Sequence, residues 1–112
     1  MAKTISWQDF EQLDIRVGTV LTVSDFPEAR KPAFQLQVDF GAEVGILRTS
    51  AQITDNYERQ ALVGKQVLAV VNFPKKQIAN FMSECLILGL VGNEGVILVM
   101  PDRDVPNGLK LG

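Results

Sequence analysis

The stretch DIRVGTVLTV, residues 14–23, has the pattern of a β-strand with an interruption. Four of its apolar residues fall on alternate positions: Ile15, Val17, Leu21 and Val23. A period of two predicts a strand with one buried face. Gly18 interrupts the run, and a glycine inside a strand often marks a bend or bulge where a sheet curls over. The stretch therefore predicts a bent first strand.

Further strand patterns follow this one. After a turn-rich loop, PEARKPA (27–33), the segment AFQLQVDFG (33–41) alternates strictly, and we predict a hairpin across Gly41-Ala42 to EVGILRTS (43–50). Three apolar runs come later: QVLAVVNF (66–73), CLILGLV (85–91) and VILVM (96–100), the last two separated by the hairpin turn GNEG. In the tail, Leu109 and Leu111 could add a short edge strand.

Two short helices are predicted. Ser6 and Asp9 form a capping-box pattern for an N-terminal helix, in which we expect Trp7 to pin the helix to the rest of the fold. Asp55 with Glu58 is a second cap pattern, before YERQALV (57–63) and a stop at Gly64.

This order of elements predicts an all-β fold. Many short strands, one of them bent, with one helix between the third and fourth strands and another in front, fit a five-stranded Greek-key barrel of the oligonucleotide/oligosaccharide-binding (OB) type. A doubly wound parallel fold needs a helix after nearly every strand. We expect a single domain over residues 1–112.

Composition argues against several functions. The formal net charge is −2, whereas a dedicated nucleic-acid binder usually carries a basic excess. The chain has no histidine and one cysteine, Cys85, and it shows no phosphate loop. Asp102 and Asp104 read as turn formers. We therefore expect no catalytic residue, no metal and no cofactor, and a non-enzymatic protein.

The same features indicate a compartment. The N-terminal sequence lacks a long apolar core of the secretory type, and no apolar run is long enough to span a bilayer. One cysteine excludes an intrachain disulfide and fits a reducing environment. We expect a cytoplasmic protein without membrane insertion.

The later strands are apolar on both faces. In a monomeric barrel the outward residues should be polar, so the surplus face must meet the N-terminal helix, the C-terminal tail or a second subunit. A two-fold homodimer is the commonest way to bury such a face. Pattern alone leaves these alternatives open.

Four blocks resemble the tRNA-binding-domain (EMAP-II-like) family: LDIRVGTVL (13–21), FPEARKPAFQLQVDFG (26–41), GILRTSAQIT (45–54) and VNFPKKQIANFMSECLILG (71–89). The second and fourth are similar to the CsaA group, described as homodimeric, secretion-related chaperones. The resemblance implies an OB-fold chaperone that binds unfolded or exported precursor polypeptides without nucleotide. It further implies the secretion machinery as a partner, and a tRNA-binding module as the alternative function.

The resemblance also carries candidate site residues. For a polypeptide ligand they are Phe81, Met82, Lys75 and Lys76; because Phe81 and Met82 are adjacent in extended chain, one should be buried and the other exposed. For tRNA they are Arg48, Asn72, Lys75, Lys76 and Ser83. Where the tRNA-binding members have several cations after the fourth strand, this chain has two, Lys75 and Lys76. Met82 stands where those members have a basic residue, which favours the polypeptide. Phe34 and Phe73 are expected in the barrel core.

Overall fold

The elements follow in order along residues 3–112, the part of the chain that this computed structural model describes. They are α1 (Trp7–Glu11), β1 (Ile15–Asp25), β2 (Phe34–Asp39), β3 (Ile46–Ala51), α2 (Arg59–Leu62), β4 (Gln66–Val70), β5 (Lys76–Ile78), β6 (Phe81–Ser83), β7 (Leu86–Ile87), β8 (Gly89–Gly92) and β9 (Gly95–Leu98).

Five of these strands form one antiparallel sheet in the order β3-β2-β1-β4-β7. The sheet curls until its two outer strands, β3 and β7, come into contact, which gives a nearly closed barrel. The hairpins β5–β6 and β8–β9 extend from it. The predicted OB-type all-β fold is confirmed, as are the turns at Gly41 and at GNEG.

The bend of β1 comes from both close packing and a bulge. A Cβ on Gly18 would lie 2.6 Å from Val38 Cγ1 and 2.7 Å from the Phe40 ring, so only glycine lets these side chains approach the strand. The pairing of β1 with β2 then shifts between Val20 and Thr22. Leu21 is the extra residue and is exposed, whereas Val20, the last paired residue before the bulge, is buried. Both positions depart from the predicted alternation.

The main core fills the barrel. Its fully buried residues include Val20, Leu36, Val38, Phe40, Leu62 and Val67. A second, smaller group, here called the side cluster, contains Phe26, Ala33 and Phe81. The side cluster joins the β1–β2 loop to the β5–β6 hairpin. Phe34 lies in the main core as predicted.

The C-terminal tail runs along the first half of β1. Val17 N–H donates to the Leu109 carbonyl at 3.1 Å, and Leu111 N–H donates to the Ile15 carbonyl at 2.8 Å. The predicted edge strand is present as an isolated bridge between Arg16 and Lys110. It pairs with the part of β1 that β2 does not reach.

Helix α1 begins with the predicted capping box: Ser6 Oγ accepts from Asp9 N–H, and the Asp9 carboxylate accepts from Ser6 N–H, both at 3.1 Å. The prediction for Trp7 is wrong, because its side chain is 75% exposed and α1 buries no residue. Its ring packs edge-on against Phe10, 6.2 Å between centroids. Helix α1 therefore does not cover the outer face of the barrel.

Helix α2 is shorter than predicted and begins differently. Its N-cap is Glu58, whose side chain makes no capping bond, so the predicted Asp55 cap is wrong. Gly64 ends the turn in a left-handed conformation with φ of 88°. No helix within residues 3–112 has the length and apolar character needed to cross a membrane.

Candidate binding groove

An apolar groove opens where β3 and β7 separate. It has a volume of about 890 Å³, inside the roughly 300–1,000 Å³ typical of ligand sites. Three segments line it: residues 50–53 at the end of β3, residues 73–78 after β4, and residues 85–89 on β7 and the start of β8. Val91 and Val96 of the β8–β9 hairpin and Ser83 complete its lining. We call this site the groove.

The groove presents large apolar side chains to solvent. Phe73 is 47% exposed, Leu86 48% and Val91 87%. The prediction that Phe73 lies in the barrel core is therefore wrong. Strand β4 ends at Val70, so Phe73 lies beyond the paired segment, where strand alternation no longer directs a side chain into the barrel.

Phe81 and Met82 lie outside the groove lining. Phe81 is 7% exposed and packs in the side cluster, with its ring 5.5 Å from that of Phe26. Met82 is half-buried on the opposite face of β6. The predicted division of the pair holds for Phe81, whose burial lets it support the hairpin but leaves little surface for a ligand.

The structure does bring the two lysines to the groove. Lys75 and Lys76 both line it and are exposed. The Lys75 ammonium lies 3.4 Å from Glu84 Oε2, so its charge is partly compensated. Lys76 forms no ion pair with any other residue of the described chain.

Asn72 and Ser83 are occupied by bonds within the protein. Asn72 accepts from Asp14 N–H at 3.0 Å and donates to the Gln12 carbonyl at 2.7 Å, which ties the end of β4 to the segment after α1. Ser83 is buried, and its hydroxyl accepts from Ser50 N–H at 3.2 Å. Both residues therefore close loops in this structure.

Arg48 lies beside the side cluster. Its guanidinium carbon is 5.3 Å from the centroid of the Phe81 ring, a cation–π contact. The β1–β2 loop is anchored on the same ring through Phe26 and carries Arg30 and Lys31, both exposed. Sequence reasoning treated this loop only as a turn; its adjacent Arg and Lys were the signal for a cationic surface.

These positive side chains form what we call the cationic rim: Arg30, Lys31, Arg48 and Lys76. None of the four has an ion-pair partner among residues 3–112. Glu28 of the same loop is exposed and Glu84 is paired with Lys75, so the surface keeps a positive excess on a chain whose net charge is −2. Such a patch attracts anionic ligands of either kind, acidic polypeptide or nucleic acid.

Cys85 lines the inner wall of the groove. Burial raises the pKa of its thiol from 9.0 to about 11, although a hydrogen bond from Thr49 opposes the rise. The thiol is therefore neutral at physiological pH and behaves as a small apolar side chain. Within residues 3–112 no three potential metal ligands cluster together.

The sequence matches one family and several known proteins. Residues 15–110 match the family described as "Putative tRNA binding domain". The methionine–tRNA ligase of Bacteroides fragilis is 38% identical over 108 residues, which are 96% of this chain. The chain spans only 16% of the length of that ligase.

Two solved structures are similar over their whole length. The chaperone CsaA of Bacillus anthracis is 45% identical with a TM-score of 0.91, over 98% of this chain and 100% of that one. A CsaA chaperone protein from Picrophilus torridus is 50% identical with the same TM-score, over 97% and 100%. By the match over residues 15–110 and by these relatives, the chain belongs to the tRNA-binding-domain family.

Proposed function

We propose that this chain is a CsaA-like molecular chaperone that binds unfolded or exported precursor polypeptides without nucleotide. The observation that carries the proposal is the groove, with Phe73, Leu86 and Val91 exposed in one concave site. An exposed apolar concavity suits an unfolded chain, whose apolar side chains are free to enter it. The 45% and 50% identity to two CsaA chaperones supports the same reading.

Each candidate residue has a defined part in this proposal. Lys76, with Lys75 as a weaker contributor because Glu84 compensates it, attracts acidic residues of the polypeptide. Met82 gives a flexible apolar contact at the side of the β5–β6 hairpin. Phe81 holds that hairpin against the β1–β2 loop. Polypeptides held in this way before export would meet the chain in the cytoplasm and pass from it to the secretion machinery.

We also propose that the chain acts as a homodimer. Leu90 and Ile97 face each other across the β8–β9 hairpin, outside the groove, and both are exposed. Helix α1 buries no residue, so it leaves the surplus apolar face uncovered. Sedimentation over a range of concentrations tests this: Leu90→Asp with Ile97→Asp should shift the dimer to monomer, and a dimer that persists would place the interface elsewhere.

Fluorescence anisotropy tests the chaperone proposal. A labelled, unfolded signal-bearing polypeptide is titrated with the protein at low and at physiological salt. We expect binding that survives salt, because apolar contacts are not screened. Leu86→Asp should lower the affinity about tenfold or more, the equivalent of about 1.4 kcal/mol.

Ile46→Asp is the matched control, because Ile46 is equally apolar and exposed but lies at the other end of β3. It should leave the affinity unchanged. Equal losses from both variants, or the absence of polypeptide binding by the unmodified protein, would contradict the proposal.

A tRNA-binding function is the second candidate, and the cationic rim favours it. Neutralised phosphates make log Kd depend on log salt with a slope of about 0.7–0.9 per contact. The double variant Arg30→Ala, Lys31→Ala removes about two phosphate contacts. The salt slope measured with labelled tRNA should therefore fall by the amount that about two contacts contribute. Asn72 and Ser83 contribute to this function only through the loops that they close. Tight tRNA binding at physiological salt, with no binding of the polypeptide, would favour tRNA binding over the chaperone function.

A further inference from the structure

The seam between β3 and β7 is joined over only part of its length. Four antiparallel steps separate these strands in the sheet, so they run in the same direction. At one end Glu84 N–H donates to the Arg48 carbonyl at 2.8 Å, and the Glu84 carboxylate accepts from Arg48 N–H at 2.8 Å. Beyond Ser50 no backbone hydrogen bond joins the two strands within residues 3–112, and residues of both strands line the groove.

The free edge of β3 continues into this gap. Arg48 directs both its backbone groups away from β2, and ladder alternation turns those of Ser50 the same way. Ala51, the last paired residue, directs its carbonyl toward β2, so the planar peptide bond turns the Gln52 N–H away from β2. Ser50 N–H is used by the Ser83 hydroxyl. The backbone groups of Gln52 make no hydrogen bond with any other residue of the described chain.

Strand β7 presents a matching edge from the opposite side. Leu88 N–H donates to the Leu68 carbonyl at 2.9 Å, and in this register Leu86 pairs with Val70. The intervening Ile87 therefore directs its N–H and C=O away from β4, toward the groove. Among residues 3–112 these two groups also have no hydrogen-bond partner.

We propose that an extended polypeptide segment binds in the groove as an added strand between β3 and β7, and so completes the barrel. The proposal rests on the chaperone function proposed above and specifies how the ligand is held. Backbone bonds to Gln52 and Ile87 would supply affinity that does not depend on the ligand's sequence, as strand addition to a sheet edge does elsewhere. Apolar side chains at alternate positions would enter the groove.

The charges beside the groove indicate which sequence the bound segment should have. Lys76 lines the groove without an ion-pair partner in the described chain, and Lys75 lies beside it. The preferred segment is therefore apolar at alternate positions and acidic near one end. Lysine at that end would face both ammonium groups and weaken binding.

Modified peptides test the backbone contribution. The probe is a capped octapeptide of alternating valine and threonine with aspartate at each end, measured by isothermal titration against the full chain. N-methylation of its three valines removes three donors, and we expect about a tenfold or larger loss of affinity. The matched control peptide has isoleucine in place of each of the three valines. Its added carbon is therefore on the side chain and not on the backbone nitrogen, and it should bind as well as the unmodified peptide. Equal affinities for the methylated and control peptides would overturn the proposal.

Amide exchange measured by NMR locates the added strand. With the peptide bound, exchange at Gln52 and Ile87 should slow at least tenfold. The Ile46 amide is the internal control, because it lies on the same outer edge of β3 beyond the groove and should not change. Protection of other amides but not of these two would overturn the proposal.

Two further outcomes separate the possible failures. If Gln52 and Ile87 become protected without peptide as protein concentration rises, a second copy of the chain occupies the seam and the proposal is wrong. If unfolded polypeptide binds but neither peptide chemistry nor exchange implicates the seam, strand addition fails and the chaperone function stands. If unfolded polypeptide does not bind, both fail together.

Discussion

The two halves of the β3–β7 seam use the same pair of strands and have opposite properties. In the closed half, Thr49 is fully buried; its hydroxyl donates to the Cys85 carbonyl at 2.7 Å and lies 3.1 Å from Ser83 Oγ. In the open half, the backbone groups of Gln52 and Ile87 have no partner within residues 3–112, and apolar side chains face solvent. Side-chain hydrogen bonds therefore join the two strands in the closed half, whereas the backbone groups of the open half are available to a ligand.

Substitution of two phenylalanines, one beside each half, should give the largest difference in unfolding free energy. Phe81→Ala should lower the free energy of unfolding by about 3 kcal/mol, because it empties the side cluster beside the closed half. Phe73→Ala should change it by no more than about 0.5 kcal/mol, since that ring is half exposed in the groove. Urea denaturation measures both variants. Similar losses in the two would contradict the division of the seam.

Thr49→Val should open the closed half without changing its volume. The substitution removes the 2.7 Å bond to the Cys85 carbonyl and one contact of the Ser83 hydroxyl, which keeps its bond from Ser50 N–H, and we expect a loss of about 1–3 kcal/mol in unfolding free energy. Thr22→Val is the control, since the Thr22 hydroxyl is exposed and makes only a 3.3 Å bond to Gln37. A Thr49 variant as stable as the control would show that the buried bonds do not hold the seam.

Cys85, at the boundary of the halves, gives a pH test. Its pKa is about 11 in the folded chain and 9.0 as the ordinary value, so between these limits the folded state holds a proton that the unfolded state has lost. Stability should therefore fall with rising pH in this window, by up to about 1.4 kcal/mol per pH unit. Urea denaturation at pH 8, 9 and 10 measures it, and Cys85→Ala should remove this part of the decline. An unchanged pH dependence in Cys85→Ala would mean that the thiol is not desolvated.

The smallest effects should come from the lysines on the groove. Lys75→Ala breaks a partly exposed ion pair with Glu84 and should cost about 0–1 kcal/mol of stability, whereas Lys76→Ala should cost nothing measurable. For binding of an acidic polypeptide, Lys76→Ala should lower the affinity more than Lys75→Ala, because the charge of Lys76 is uncompensated. Urea denaturation measures the stability of the two variants, and fluorescence anisotropy measures their affinity for the polypeptide. A larger binding loss for Lys75 would show that Glu84 does not screen it.

Much of the fold could be predicted from local pattern. The alternating segments that predicted the OB-type barrel, the capping box at Ser6 and the hairpin turn at GNEG are patterns of residues close together in the sequence, and all three predictions are confirmed. The errors at Leu21 and Phe73 share a cause. Alternation predicts which side chains share a face, but a bulge or the end of a strand changes that face.

The site was less accessible to sequence reasoning. Of the four residues predicted to bind a polypeptide, Lys75 and Lys76 line the groove, whereas Phe81 and Met82 lie outside its lining. The binding role of all four stays a prediction. Leu86, Val91 and the unpaired edges were missed, because nothing local distinguishes an apolar strand residue that faces the core from one that faces a gap.

Local pattern was enough to predict β1 to β4, the turns at Gly41 and GNEG and membership of the tRNA-binding-domain family, since these follow from periodicity, glycine positions and the four matching blocks. It did not predict the β5–β6 hairpin or the division of CLILGLV into β7 and β8. The point at which the barrel closes emerges only from long-range contacts in the folded chain. Closure depends on hydrogen bonds that join Arg48 and Thr49 to Glu84 and Ser83, which lie more than 30 residues further along the chain. The groove exists because those bonds stop at Ser50, and no local pattern in the chain encodes that limit.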